Sequence, residues 1–218
     1  MRNGVIVEER FVHEEETHLT VKKTSVFFSG DGFTAYDSKG EVVFRVDSYG
    51  PDSRDTTELV LMDASGRCLI TVRRKRPSLH QRWEGFIGER MEGKKPLFSV
   101  RRSSIIGRSS VTVEVPSIPC EEYQIEGSFA NRSCKFFNSK KEPVAEIRRK
   151  VDASANIMLG KDVFSLSIKP GFDGAFVMGL VLVLDQIIGD EYANDNGSRV
   201  DVHPTNQDSN FSFLILYI

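Results

Sequence analysis

The sequence predicts a mainly β protein, a barrel closed around one buried C-terminal helix, and three observations predict it. Residues 19–169 alternate short apolar runs with turn residues and hold no long 3.6-residue period. A hairpin-like segment recurs three times within that stretch. Residues 175–184 are then apolar at every position but Gly179, and a helix that is apolar all round must be enclosed on every side.

Size and charge bound what such a barrel can do. The chain has 218 residues and a mass of 24.5 kDa, a length that all-β barrels commonly use as one domain. A net charge of -2 and a pI near 6.1 speak against a generic polyanion binder, so direct nucleic-acid binding is not expected. The stretch Met1-Arg2-Asn3-Gly4-Val5-Ile6-Val7 is too short an apolar run for a signal peptide, and the expectation is a cytoplasmic protein. Cys68, Cys120 and Cys134 show neither a disulfide framework nor the Cys-x-x-Cys spacing of a zinc site. All three are read as reduced, with no metal and no cofactor.

Taken in order, strands are expected at 19–28, 33–36, 42–46, 59–62, 68–72, 97–101, 110–115, 123–125, 134–138, 144–147 and 163–168. The breaks hold Gly30-Asp31-Gly32, Ser38-Lys39-Gly40, Ala64-Ser65-Gly66 and Glu92-Gly93-Lys94, residues suited to tight turns. The repeat spans 36–46, 62–72 and 137–147, each copy a strand end, a turn led by Asp or Asn, and a returning strand. Because strand side chains alternate, Val42, Phe44 and Val46 share a face, as do Cys68, Ile70 and Val72, and Pro143, Ala145 and Ile147. Copies at unequal spacing form no solenoid, which favours closure into a barrel. Asp173 is placed to cap the helix. Its apolar run ends at Asp185 after about half the ~20 residues a bilayer requires, so no integral membrane span is expected. Residues 1–189 read as one barrel domain and 190–218 as a polar, disordered tail with an apolar end.

Several local motifs carry a resemblance. They are Leu19-Thr20-Val21-Lys22-Lys23-Thr24-Ser25 with Gly30-Asp31-Gly32-Phe33, the repeat at 36–46, and Leu79-His80-Gln81-Arg82-Trp83. Further along come Glu126-Gly127-Ser128-Phe129, Arg132-Ser133-Cys134-Lys135, Gly160-Lys161-Asp162-Val163-Phe164-Ser165-Leu166, and the helix with Leu184-Asp185-Gln186-Ile187. Together they resemble the LURP-one-related family of plants, within the Tubby C-terminal-like superfamily that also holds the phospholipid scramblases. The resemblance implies a closed antiparallel barrel of twelve strands around a central hydrophobic helix, and it brings no catalytic residues. It implies a non-enzymatic binding or regulatory module: a membrane-tethered, phosphoinositide-binding, transcription-regulator-like protein or one linked to plant defence. A lipid-handling, scramblase-like protein or a protein-interaction scaffold is the alternative. The expected partners are phosphoinositides, an anionic membrane surface or a protein, with a cytoplasmic location, peripheral at the plasma membrane, or a nuclear one. The tail after Gly189 departs from the family pattern.

Candidate chemistry is sparse. His13-Glu14-Glu15-Glu16-Thr17-His18 has its histidines five apart, where a shared zinc on a helix needs four, and it reads as a solvated acidic segment. His80 beside Trp83 has no identifiable nucleophile and reads as barrel wall. The notable feature is basic: Arg73-Arg74-Lys75-Arg76 follows the second repeat and Arg148-Arg149-Lys150 follows the third. Guanidinium and ammonium groups at two equivalent hairpin ends suit phosphate. The competing reading pairs them with Glu84, Glu89 and Glu146. A single anion site requires the clusters to converge at one end or flank of the barrel.

Overall fold

The structure is a computed structural model that describes residues 4–24, 32–49, 58–75, 82–89, 93–105, 108–118, 121–152 and 157–197. In chain order the strands are β1 (Thr17–Thr24), β2 (Gly32–Tyr36), β3 (Val42–Tyr49), β4 (Glu58–Asp63), β5 (Cys68–Arg74), β6 (Trp83–Ile87) and β7 (Phe98–Ile105). There follow β8 (Arg108–Glu114), β9 (Glu122–Ser128), β10 (Ser133–Phe137), β11 (Pro143–Arg149), β12 (Val151–Asp152), β13 (Ile157–Met158) and β14 (Val163–Ile168). One α-helix, α1, spans Gly174–Gly197. Twelve strands close in the order β1-β14-β11-β10-β9-β8-β7-β6-β5-β4-β3-β2, and β12 and β13 form a separate two-stranded sheet. Strand β14 seals the ring by pairing antiparallel with both β1 and β11.

Alternation explains which residues fill the barrel. Leu19 and Val21, Phe44 and Val46, Phe98 and Val100, and Phe164, Leu166 and Ile168 are buried at every second position, while in β5 Leu69 and Thr71 are buried along with Ile70 and Val72. The positions of the helix from Ala175 to Leu184 are buried without exception, as its lack of a polar face requires. Each large side chain so enclosed contributes about 1.5–3 kcal/mol before the entropy of ordering is set against it. Among the described residues no helix is long and apolar enough to cross a membrane.

The β12–β13 hairpin falls outside the expected strands, and two further features differ from the sequence expectation. Strand β6 was not expected, because Trp-Glu-Gly-Phe-Ile breaks alternation with a glycine. The structure supplies the reason: a Cβ on Gly85 would lie 2.2 Å from the Phe98 ring, so the aromatic side chain occupies the space above the backbone. The helix also runs on to Gly197, so residues 190–197, expected in the disordered tail, are helical. Residues 198–218 lie outside those described.

The threefold repeat is real at the level of single hydrogen bonds. In each copy the leading Asp or Asn oxygen accepts from two backbone N–H groups: Lys39 and Glu41 onto Asp37, Ser65 and Arg67 onto Asp63, Lys140 and Glu142 onto Asn138. The fourth turn position has positive φ each time, at Gly40, Gly66 and Lys141, and each hairpin carries a register shift of the bulge kind. Asp63 is buried. Burial pushes its carboxyl up, but hydrogen bonds from Ser65, Arg10 and Arg67 prevail and hold it well below the usual range.

These turns mark one end of the barrel, where the chain also enters α1. Asp173 sits there, buried, with Oδ1 accepting from the N–H groups of Ala175 (3.0 Å) and Phe176 (3.2 Å) as the expected helix cap. Its Oδ2 accepts from Ile6, Val7 and Glu8, tying the N-terminal segment across the entry.

Candidate anion-binding rim

Strands β5 and β11 lie six places apart in a closed antiparallel ring of twelve. An even number of reversals separates them, so they run in the same direction and both finish at the end where α1 emerges. The structure therefore brings the two basic clusters to one rim but sets them on opposite walls. Twelve strands at ~4.8 Å spacing put those walls roughly 20 Å apart. The clusters share an end without sharing a site.

Each cluster has local partners. Arg73 faces Glu84 across the β5–β6 ladder, with the guanidinium 3.4 Å from Oε2 and stacked 4.9 Å from the Phe86 ring centre. Lys75 Nζ lies 2.8 Å from Glu84 Oε1. Glu84 is buried, so one desolvated carboxylate holds two cations and leaves a net positive charge. Arg74 lies opposite Trp83 on the ladder, and Arg76, like His80, lies outside the described residues. On β11, Arg148 pairs with Glu146 at 2.8 Å, which raises its pKa. Arg149 donates to the Leu159 carbonyl and Lys150 to Thr20 Oγ1.

Glu84 has a testable consequence. The double change Arg73→Ala with Lys75→Ala leaves a buried carboxylate uncompensated and should lower stability by about 2 kcal/mol, since the partly exposed cations are screened by solvent. Adding Glu84→Gln should recover most of the loss in chemical denaturation. An unchanged midpoint in the double variant would show that the pairing is incidental.

Between the walls, sequence reading missed a second set of charges. Asp185, the first charge after the apolar run, is buried and lies 3.0 Å from Lys23 Nζ on β1. Arg132, in left-handed backbone at φ 52°, donates from Nε to the Lys161 carbonyl at 2.8 Å. Its guanidinium stacks 4.2 Å from the Phe129 ring centre and 4.5 Å from that of Phe164. Burial lowers the Arg132 pKa, and Asp185 and Asp162 oppose that shift. Its Nη1 is buried without a hydrogen-bond partner. Beside it, a pocket of about 90 Å³ opens between α1 and the β7–β10 wall, lined in part by Arg102, Phe129, Cys134, Leu184 and Ile187. Cys134 is free, and burial pushes its thiol up to about 12. The available signal was Asp185 itself: a carboxylate that ends a buried run needs a cation nearby. No metal-ligating group of three His, Cys, Asp or Glu residues occurs among the described residues.

Fold and rim together define a helix-threaded, twelve-stranded barrel with a cationic exit end. The chain belongs to the LURP-one-related family, whose model matches residues 17–185. It is 64% identical over 211 residues to protein LURP-one-related 5 of Arabidopsis thaliana, covering 95% of this chain and 100% of that one. It is 61% identical to LURP-one-related 12 of the same plant, over 95% of this chain and 94% of the relative. An Arabidopsis thaliana protein solved by X-ray shares the fold with a TM-score of 0.64 at 22% identity, over 85% of this chain and 99% of that one. A match over 95% of the chain leaves about a twentieth outside it, fewer residues than 190–218 hold. That alignment reaches into the tail, whereas the family model itself ends at residue 185. Neither the relatives' names nor the barrel suggests catalysis.

Proposed function

We propose that this protein is a non-enzymatic binding module whose helix-exit rim docks on phosphoinositide-containing, anionic membrane. The observation that carries the reading is polarity. Arg73, Arg74 and Lys75, Arg148, Arg149 and Lys150, and Lys22, Lys23, Arg132 and Lys161 belong to the exit end. Against these the exit end sets Glu84, Asp152, Asp162 and Asp185, whereas the entry end carries Glu8, Glu9, Glu14, Glu15, Glu16, Asp37, Glu41, Asp63, Glu142 and Asp173 against Arg10, Lys39, Arg67, Lys140, Lys141 and Lys169. A chain of net charge -2 so arranged turns one end toward a negative surface and the other away from it. Clusters on opposite walls suit a planar array of headgroups better than one small anion, because each wall can reach its own phosphate.

The test is flotation with phosphatidylcholine vesicles carrying phosphatidylserine and phosphatidylinositol bisphosphate. Wild-type protein should bind at low salt and release as salt screens the surface. Changing Arg148, Arg149 and Lys150 to Ala should weaken binding by about 1 kcal/mol per charge while the melting temperature holds, since exposed charges add little stability. Arg73 and Lys75 are unsuitable for this test because their loss disturbs Glu84. Failure of the wild-type protein to float at low salt would refute the reading and leave a protein partner in its place.

A further inference from the structure

The exit rim carries an apolar feature that charge alone does not explain. Among the described residues four large apolar side chains stand exposed, and three share one hairpin: Val151 at 45%, Ile157 at 61% and Met158 at 52%. The hairpin is β12 with β13, inserted between β11 and β14 and outside the barrel ladder. Val151 pairs with Met158 and Asp152 with Ile157. Cross-strand partners share a face, so Val151 and Met158 lie on one side and Ile157 on the other. Its base is fixed, with Leu159 N–H donating to the Lys150 carbonyl at 2.9 Å and Arg149 donating to the Leu159 carbonyl at 3.2 Å.

We infer that the β12–β13 hairpin inserts its apolar side chains into the interfacial layer of an anionic bilayer, with Arg148, Arg149, Lys150 and Lys161 collaring it at headgroup level. The inference rests on the membrane reading above and deepens it. A two-residue ladder with apolar groups on both faces cannot be covered by one flat protein surface, whereas a fluid bilayer surrounds it. The charges beside it are complementary: Arg148 is 71% exposed, and Arg149 and Lys161 are also exposed. The nearby carboxylates are Glu146, which pairs with Arg148, and Asp152 and Asp162. Apolar insertion and electrostatic attraction together give the two signals that stable peripheral anchoring needs.

The test uses Ile157→Trp. The chain holds one tryptophan, Trp83, which is buried in the barrel and serves as the internal control. On phosphatidylcholine–phosphatidylserine vesicles with phosphatidylinositol bisphosphate and brominated acyl chains, the introduced indole should shift to the blue and be quenched, while wild-type emission stays unchanged. A second variant, Ile157→Asp with Met158→Asp, should weaken flotation by roughly tenfold or more through lost apolar burial, at unchanged melting temperature. If wild-type protein floats but the introduced indole is not quenched and the double variant binds normally, insertion is overturned while the rim reading stands. If wild-type protein does not float, both fail, and the hairpin becomes a protein-docking element.

Discussion

Leu182→Asp abolishes cooperative folding. Leu182 is fully buried at the centre of the apolar run, with barrel wall on every side. A carboxylate there has no cation to pair with and no route to water, which costs several kcal/mol against a total stability of about 5–15. The expected result is insoluble protein or a sample with no thermal transition. Soluble expression at the wild-type melting temperature would mean that the helix does not fill the barrel.

Asp173→Ala should give the next largest loss, about 4 kcal/mol in urea denaturation. Its two oxygens accept from five backbone N–H groups, those of Ile6, Val7 and Glu8 on one side and of Ala175 and Phe176 on the other. Loss of the helix cap alone costs about 1 kcal/mol, and each buried donor left unpaired adds about 1–3 more where water cannot reach it. Asp173→Asn keeps one acceptor but turns amide hydrogens toward donors, so it should fall between the two. A loss below about 1 kcal/mol for the alanine variant would show that the N-terminal segment is not held by this carboxylate.

Much of the fold was legible because its signals are local. Phe44, Val46, Ile70, Val72, Ala145 and Ile147 fall on the core face by alternation and are buried, whereas Val42 and Cys68 are half-buried and Pro143, at the start of β11, is exposed. The three turns repeat because an Asp or Asn oxygen organises each from within five residues. The helix and its cap were legible from ten apolar positions preceded by Asp173. Strand β6 was not, since the value of Gly85 lies in a neighbour, Phe98, that sequence adjacency does not reveal. Closure was legible in the irregular repeat and the enclosed helix, but the count of twelve strands came from family resemblance, because the pattern offers no sign of which strands meet.

The rim was half legible. Counting basic residues located both clusters, and antiparallel closure then put them at one end, but their separation across the ring depends on strand order. Sequence also left Glu84 as one candidate partner among three, and only the β5–β6 register shows it between Arg73 and Lys75. Arg132 was invisible as a charge of interest, because its burial follows from stacking on Phe129 and Phe164, which lies 32 positions away in the chain.

The central claim is that the helix-exit end faces anionic membrane, and hydrogen–deuterium exchange with vesicle-bound protein tests it most directly. Slowed exchange is predicted at 129–132, 148–152 and 157–162, with no change in the entry-end turns at 37–41, 63–67 and 138–142. Protection of those entry-end turns, with the exit end exchanging as freely as in solution, would contradict it.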